Sequence, residues 1–235
     1  MGSWIRRHRR YFPFAIAIVT LLLLRPRPWG DPVDGLSIVT AILLCVLGQA
    51  LRFWTWGSNA IAGESEIRDR GPYVLMRHPL YSGNLLIFAG LAVVYNNVLV
   101  YSLLLPSFAF VYHMTARWEE SYLRENRGVD YQRYDLKALP RFRPALHNLG
   151  CAVETTVPFN SRFAWRKEYP SCCAWIAGIA GLQSYKELVA QGWTWSWPDN
   201  WASVVVMGIC GTIMLLTVRV RKCKTKGSDL EPVGS

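Results

Sequence analysis

The chain has 235 residues, 51% of them hydrophobic and 18% charged, with a formal net charge of +10 and a mean hydropathy of +0.14. That apolar and aromatic content excludes an intrinsically disordered chain, and the length bounds the fold to one or two compact units. Eleven Trp on a basic balance would suit a nucleic-acid binder, but the apolar runs argue against one. In chain order, residues 11–24, 36–51, 85–95, 98–112, 171–182 and 201–218 are nearly free of charge. With their flanks several reach the roughly 17–25 residues that cross ~30 Å of hydrocarbon. A soluble protein of this size has no interior for so many. The expected fold is all-α: a multi-span integral membrane bundle of about six transmembrane helices, with a helical cytosolic cap and no nucleic-acid partner.

The basic residues are distributed as a topology signal. With six spans and both termini in the cytosol, the cytosolic segments hold 22 Lys and Arg, and the external loops hold only Arg25 and Arg27. Arg52 and Lys186 fall near span ends, where long side chains are expected to snorkel. The asymmetry places both termini in the cytosol, in a bacterial inner membrane or, in a eukaryote, the endoplasmic reticulum. RRHRR before a 14-residue apolar run has the shape of a secretory signal, but RPRPWGDP stands where a small-residue cleavage site should be, which favours an uncleaved first span. Cys45, Cys151, Cys172, Cys173, Cys210 and Cys223 fall in spans or on the cytosolic side without paired zinc spacing, so they are expected as reduced thiols. The chain has no internal repeat or low-complexity tract.

Spans one and two are joined by the helix-breaking RPRPWGDPVDG, and span two ends near an interfacial pair, Trp54 and Trp56. Span three starts after Pro79. Span four returns after Asn96-Asn97, a link so short that the two must form an antiparallel hairpin. RWEESYLREN then reads as helix stopped by Gly128, and VDYQRYDLKAL continues to Pro140. Spans five and six close around QGWTWSWPDNW, whose Trp193, Trp195, Trp197 and Trp201 make an aromatic belt. Ala177 and Gly181 offer small-residue spacing for close packing.

Polar groups capable of chemistry fall mainly in residues 64–84 and 117–143. In the first, Pro79 suits the opening turn of a helix, and Arg77 and His78 precede it. The free amides and positive dipole end of that turn, with a guanidinium and an imidazole, would receive a carboxylate or phosphate. The same Arg77 equally fits an interfacial anchor meeting lipid phosphate. Gly83 would let another backbone or a ligand approach closely. In the second place, Glu119 and Glu120 are brought by the hairpin to face the Arg77-His78-Pro79 turn. A carboxylate there can accept from both hydroxyls of a ribose or pair with Arg77. The alternative is a solvated acidic first turn of the RWEESYL helix.

RGPYVLMRHPLYSG, followed some 35 residues later by EESYLRENRGVDYQRY and then by LPRFRP, resembles the isoprenylcysteine carboxyl methyltransferase family and its bacterial and phospholipid-methyltransferase relatives. The resemblance covers roughly residues 45–144. It implies a bundle of membrane helices with a cytosol-facing S-adenosylmethionine pocket. The chain then divides into an N-terminal transmembrane hairpin (1–54), a cofactor-binding catalytic core (55–144), and a cytosolic segment with a C-terminal hairpin (145–235). By motif, Tyr73, His78, Pro79, Leu80 and Tyr81 would contact the cofactor. Glu119 would hold its ribose or adenosine part, and Ser65, Glu66, Ile67 and Arg68 would supply backbone contacts. Eukaryotic members place a substrate-contacting Arg four residues before that Glu; here the position is Thr115, with Arg117 the nearest replacement. That departure puts a prenylcysteine carboxylate in doubt as the substrate.

A methyl sulfonium is already activated, so the site's task is alignment and exclusion of water. A carboxylate acceptor needs no base. An amine or thiol acceptor must lose a proton, to Glu120, His78 or Tyr134. Arg77 is expected nearest the reaction, with Glu120 as the second catalytic residue. Arg117, Tyr131, Tyr134 and Arg141 would face a lipid-like acceptor, although both tyrosines equally fit helix packing in the cap. No metal is expected. A nicotinamide-dependent sterol or lipid reductase, whose family carries a similar RHPxY turn, and a non-catalytic scaffold are the competing readings. The charge asymmetry has a direct check: single cysteines at Ser3, Ser161, Ser196 and Ser228 in a cysteine-free background, labelled on intact cells. Only the Ser196 site should react with an impermeant reagent, and external labelling at Ser161 would overturn the topology.

Overall fold

The computed structural model describes residues 18–20, 24–26, 32–60, 69–135, 139–153, 159–194 and 197–228. Among these the regular structure is helical: α1 (Pro32–Ser58), α2 (Pro79–Tyr95), α3 (Val98–Asp135), the short α4 (Leu149–Val153), α5 (Ser161–Ala190) and α6 (Trp197–Ser228), with 3-10 turns at Gly71–Val74 and Leu146–Asn148. Two compact units divide the chain, Met1–Glu168 and Tyr169–Ser235.

Among the described residues three helical stretches are long and apolar enough to cross a membrane: Val33–Ser58, Val98–Asn126 and Asn200–Thr217. The six expected spans are not all matched by this measure. Pro79–Tyr95 is apolar but has 17 residues, about 25 Å at 1.5 Å per residue. The run 171–182 lies in α5 between Arg166, Lys167 and Glu168 at one end and Lys186 and Glu187 at the other. Of the first expected span, only 18–20 and Leu24 are described, and 18–20 are helical.

The pattern of exposure on α1 suits a lipid solvent. Leu36, Val39, Leu43 and Leu47 are exposed along one face. Ala41, Cys45 and Thr55 are buried on the other, at the three-and-four spacing that keeps residues on one side of a helix. That inner face carries small residues because α2 lies almost in backbone contact with it. A Cβ added to Gly48 would stand 2.5 Å from the Gly83 carbonyl oxygen, and one at Gly90 2.6 Å from Cys45 Sγ and 2.7 Å from the Ala41 oxygen. The close approach expected at Gly83 is therefore made by α1.

α2 and α3 form the antiparallel hairpin read from Asn96-Asn97. Asn96 caps α2 in the left-handed region (φ 51°), and Asn97 Oδ1 accepts from the Leu99 N–H at 2.9 Å to open α3. Phe88 stacks on Phe108 with ring centroids 4.2 Å apart, and Tyr81 packs on Tyr112 at 5.3 Å. The expected stop at Gly128 is a kink, with φ 44° and ψ −118°. Only glycine adopts that pair readily, so the chain turns there before the helical path resumes. In the second unit, Gly181 faces the Met207 sulfur, with a built Cβ 3.5 Å away, an ordinary contact. Cys45, Cys151, Cys173 and Cys210 are thiols, as expected.

Two cations depart from expectation. Arg52 does not snorkel: its guanidinium turns inward to Glu168, because that carboxylate and Asn84 offer acceptors inside the protein. Lys186 is 0% exposed, with Glu187 and Asn200 also buried. Lys186 is thus held inside the protein beside an acidic neighbour in sequence, Glu187, rather than at the surface. Trp56, expected at an interface, meets Phe163 edge-on at 6.1 Å with Lys167 Nζ 5.3 Å above its ring.

The glycine contacts yield a stability test. Gly90→Val must displace both Cys45 Sγ and the Ala41 carbonyl of α1, and is expected to cost about 1–3 kcal/mol. Gly208→Ala, with nothing within 4 Å of the added carbon, should be neutral or stabilise by up to about 1 kcal/mol through helix propensity. Thermal unfolding in detergent should rank them in that order; equal midpoints would overturn the close α1–α2 packing.

Candidate functional site

The GPYV turn and the extended RHP segment place the first motif against the start of α2, where Pro79 takes the first helical position and His78 the N-cap. Proline loses no hydrogen bond there, because the first turn's N–H groups lack helical partners in any case. Residues 139–148 lie along this segment and satisfy its backbone. Arg77 N–H donates to the Pro140 oxygen at 3.0 Å, His78 N–H to the Arg141 oxygen at 3.1 Å, and Ala145 N–H to the Leu75 oxygen at 3.0 Å. Ser82 Oγ donates to the Phe142 oxygen at 2.9 Å, and Arg77 Nε to the Leu139 oxygen at 2.7 Å. LPRFRP is thus docked onto VLMRHPLYS. The amides of Arg77 and His78 go to this docking, which leaves less of the helix end for a ligand than the sequence promised.

Glu120 stands at the centre of the dock. Arg141 grips it with two bonds, Nε to Oε1 at 2.9 Å and Nη2 to Oε2 at 2.8 Å. His78 Nε2 shares a 3.1 Å hydrogen bond with Oε1, and Arg77 Nη1 is 4.0 Å from Oε2. The fork-to-carboxylate pairing is the strongest form of such a contact. Glu120 is 5% exposed, so it is not the solvated first-turn acid that was the alternative expectation. The buried carboxylate is retained because cations surround it.

One residue earlier, Glu119 differs. Its side chain is 42% exposed; Oε2 accepts from Tyr81 Oη at 2.8 Å and lies 3.8 Å from His78 Nδ1. Tyr81 stacks on His78, with centroids 5.4 Å apart and planes 12° from parallel. Phe142 tilts against the other neighbours, 6.1 Å from His78 and 6.4 Å from His113. The hairpin therefore brings the acids to the Arg77-His78-Pro79 turn, as the sequence implied, and divides them: Glu120 inward, Glu119 outward.

The remaining site candidates separate in the same way. Tyr131 and Tyr134 are 2% and 8% exposed and form a small core with Leu139. Tyr134 Oη donates to the Tyr73 oxygen at 3.2 Å. Burial, the largest influence, pushes the Tyr134 phenol well above its ordinary range, which makes it a poor proton acceptor at neutral pH. These two tyrosines follow the packing alternative rather than lining an acceptor path. Arg117 is exposed on α3, while Tyr73 and Leu80 are half-buried at the site. Ser65, Glu66, Ile67 and Arg68 lie outside the described residues. Sequence reasoning missed Ser82, Phe142 and the inward group Gln49, Arg52, Asn84 and Glu168. An Arg inside an apolar span demands a counter-ion, and Glu168, just before an apolar run, was the signal that could have found its partner.

Residues 36–128 match the model of the phospholipid methyltransferase family, in agreement with the resemblance read from the two motifs. The matched stretch runs from α1 through the hairpin to the Gly128 kink. The chain is also similar to the nickel-cobalt-cadmium resistance protein NccN of Alcaligenes xylosoxydans xylosoxydans, 27% identical over 147 residues that cover 60% of this chain and 68% of that protein. No solved structure matches the chain.

The unequal burial of the two acids predicts unequal costs. Removing one partner of a fully buried ion pair costs about 3–5 kcal/mol, and the partly exposed Arg141 recovers some of that in water, so Glu120→Ala should lose roughly 2–3 kcal/mol. Glu119→Ala should lose about 1 kcal/mol or less. Thermal unfolding of the two variants measures the difference. Equal midpoints would remove Glu120 from the centre of the dock.

Proposed function

We propose that this chain transfers a methyl group from S-adenosylmethionine to a lipid-like acceptor at the cytosolic face of a membrane. The observation that carries the proposal is the convergence of RHPLY and EESYL at one half-open place inside the stretch that matches the family. The side chains there suit the cofactor. Among the described residues Glu119 is bonded through Oε2 alone, which leaves Oε1 to accept from a ribose hydroxyl. The His78–Tyr81 stack offers aromatic faces to an adenine or a sulfonium cation. Bound there, the cofactor supplies a methyl group already activated by positive sulfur. Tyr81 holds Glu119 in place, and Glu119 in turn orients the cofactor's sugar. Glu120 keeps the cap closed over the start of α2, and the cap excludes water. With Glu120 committed to Arg141 and His78, the arrangement favours an acceptor that needs no strong base.

The surroundings favour an acceptor carried by the bilayer. Leu103, Phe110 and Met114 are exposed on α3 and lead toward Trp118, which stacks on Tyr122 at 5.5 Å next to Glu119 in sequence. A lipid tail along that face would gain about 0.8 kcal/mol for each buried methylene, so eight to ten would hold a weakly polar head group by several kcal/mol. The acceptor then enters sideways from the cytosolic leaflet rather than from water.

Purified protein incubated with extracted membrane lipids and methyl-labelled S-adenosylmethionine should release S-adenosylhomocysteine and label the lipid phase. Oxidation of a reduced nicotinamide instead would move the chain to the reductases. Glu119→Ala should weaken cofactor binding at least about tenfold, the equivalent of one charge-assisted hydrogen bond. Acceptors with one head group and tails of increasing length, corrected for membrane partitioning, should gain apparent affinity steeply. Equal turnover of the shortest and longest would exclude lateral entry.

A further inference from the structure

One imidazole of α3 stands inside an apolar span and has no part in the function proposed above. His113 lies within Val98–Asn126, long and apolar enough to cross a membrane, and is half-buried. Its ring meets Phe142 of the docked segment with centroids 6.4 Å apart, and Phe142 meets His78 at 6.1 Å. Among the described residues no hydrogen bond or ion pair holds the His113 ring. The helix repeat puts His113 on one side of α3 with the buried Ala116 and Glu120, about two turns farther from the cap than Glu120. It is next in sequence to Tyr112, whose ring packs on Tyr81 at 5.3 Å, so the imidazole lies at the level of that tyrosine pair. Phe110 and Met114, which bracket it in the chain, are exposed and belong to the apolar face proposed for the lipid tail.

We infer that His113 is the catalytic base of the site and that the acceptor carries a dissociable proton on nitrogen or sulfur; this rests on the function proposed above. The other groups that could take such a proton are engaged. Glu120 is gripped by Arg141 and His78 is bonded to Glu120, while Tyr134 lies in the small core with Tyr131 and Leu139. A ring that only packed on Phe142 would be replaced by Phe without the cost of taking polar nitrogens from water. Ionisable side chains inside a membrane span ordinarily face a polar path or a ligand. In the transfer the acceptor's lone pair attacks the sulfonium methyl carbon, and the carbon–sulfur bond breaks with its electrons left on sulfur. The acceptor's proton passes to a His113 ring nitrogen that carries no hydrogen, and the pair that bound it stays on the acceptor. The products are the methylated acceptor, S-adenosylhomocysteine and an imidazolium, which returns its proton to water at the membrane surface. A carboxylate acceptor, which has no proton to lose, would leave His113 without a role.

Two readouts test it, one of them without cofactor. The chain has 4 His, so protein with isotope-labelled histidine rings gives a sparse magnetic-resonance spectrum, in which His113 is assigned by its loss in His113→Phe or His113→Gln. In cofactor-free protein in detergent the His113 resonance should move with dodecylamine or dodecanethiol, whose head-group proton it can accept. It should stay with dodecyltrimethylammonium and dodecyl methyl sulfide, which have the same tail and no such proton. The second readout is turnover of extracted membrane lipids with methyl-labelled S-adenosylmethionine. His113→Phe keeps a ring against Phe142, so it should bind the cofactor as the unaltered protein does and lose about a hundredfold in kcat, the usual contribution of a positioned base. His113→Gln should lose as much, and supplies the measurement if the phenylalanine variant fails to fold. An unchanged kcat in either folded variant overturns the inference and leaves the methyltransferase reading standing. A resonance that moves with every head group or with none also overturns it. If the unaltered protein transfers no methyl group, the proposed function falls and the base falls with it.

Discussion

A buried carboxylate must be neutralised where it lies, and the first unit is organised around that constraint at Glu120. The carboxylate comes from α3, its guanidinium fork from Arg141, and its imidazole from the N-cap of α2, so one ionic cluster joins segments 21 and 42 residues apart. In the low dielectric of a protein interior such a cluster is worth more than in water, and each of its members is worth less alone. The backbone follows the charges. With Arg141 anchored, carbonyls 139–142 lie beside the amides and side chains of 77–82, and the open end of α2 is closed. Helix geometry points the adjacent acids about 100° apart, and the docked segment takes one of them, Glu120, through Arg141. One acid serves the architecture, and its neighbour stays half-exposed.

Much of this was legible in the sequence. Proline at a helix start, the Asn96-Asn97 reversal, the glycine break at 128 and the meeting of EE with RHP all follow from local chemistry and the hairpin's length. Which acid faces inward did not follow: Glu119 and Glu120 have the same side chain, and only docking of residues 139–142 distinguishes them. The same limit applies to Arg52 and Lys186. A long cationic side chain near a span end reaches for water or for a buried acceptor according to what stands opposite. For Arg52 that is Glu168, 116 residues away. Tyr131 and Tyr134 were ambiguous because an amphipathic ring serves equally as core or as pocket wall, and burial beside Leu139 is a tertiary fact.

The hairpin also grades its polarity along its length, which bears on where the chemistry can happen. Phe88 on Phe108 is wholly apolar. About one to two turns nearer the cap, Tyr81 and Tyr112 present rings with hydroxyls. One turn further, His78 meets Glu119 and Glu120. From Phe88 to His78 the axis advances about 15 Å at 1.5 Å per residue, so the passage from apolar rings to charge is completed over a length equal to about half of a bilayer's ~30 Å hydrocarbon core. A cationic methyl donor and a bilayer-borne acceptor have incompatible solvents, and they can approach within bonding distance only where such a gradient exists. The tyrosine layer is therefore the level at which the proposed transfer is expected, and there Tyr81 touches both the charged groups Glu119 and His78 and the ring of Tyr112.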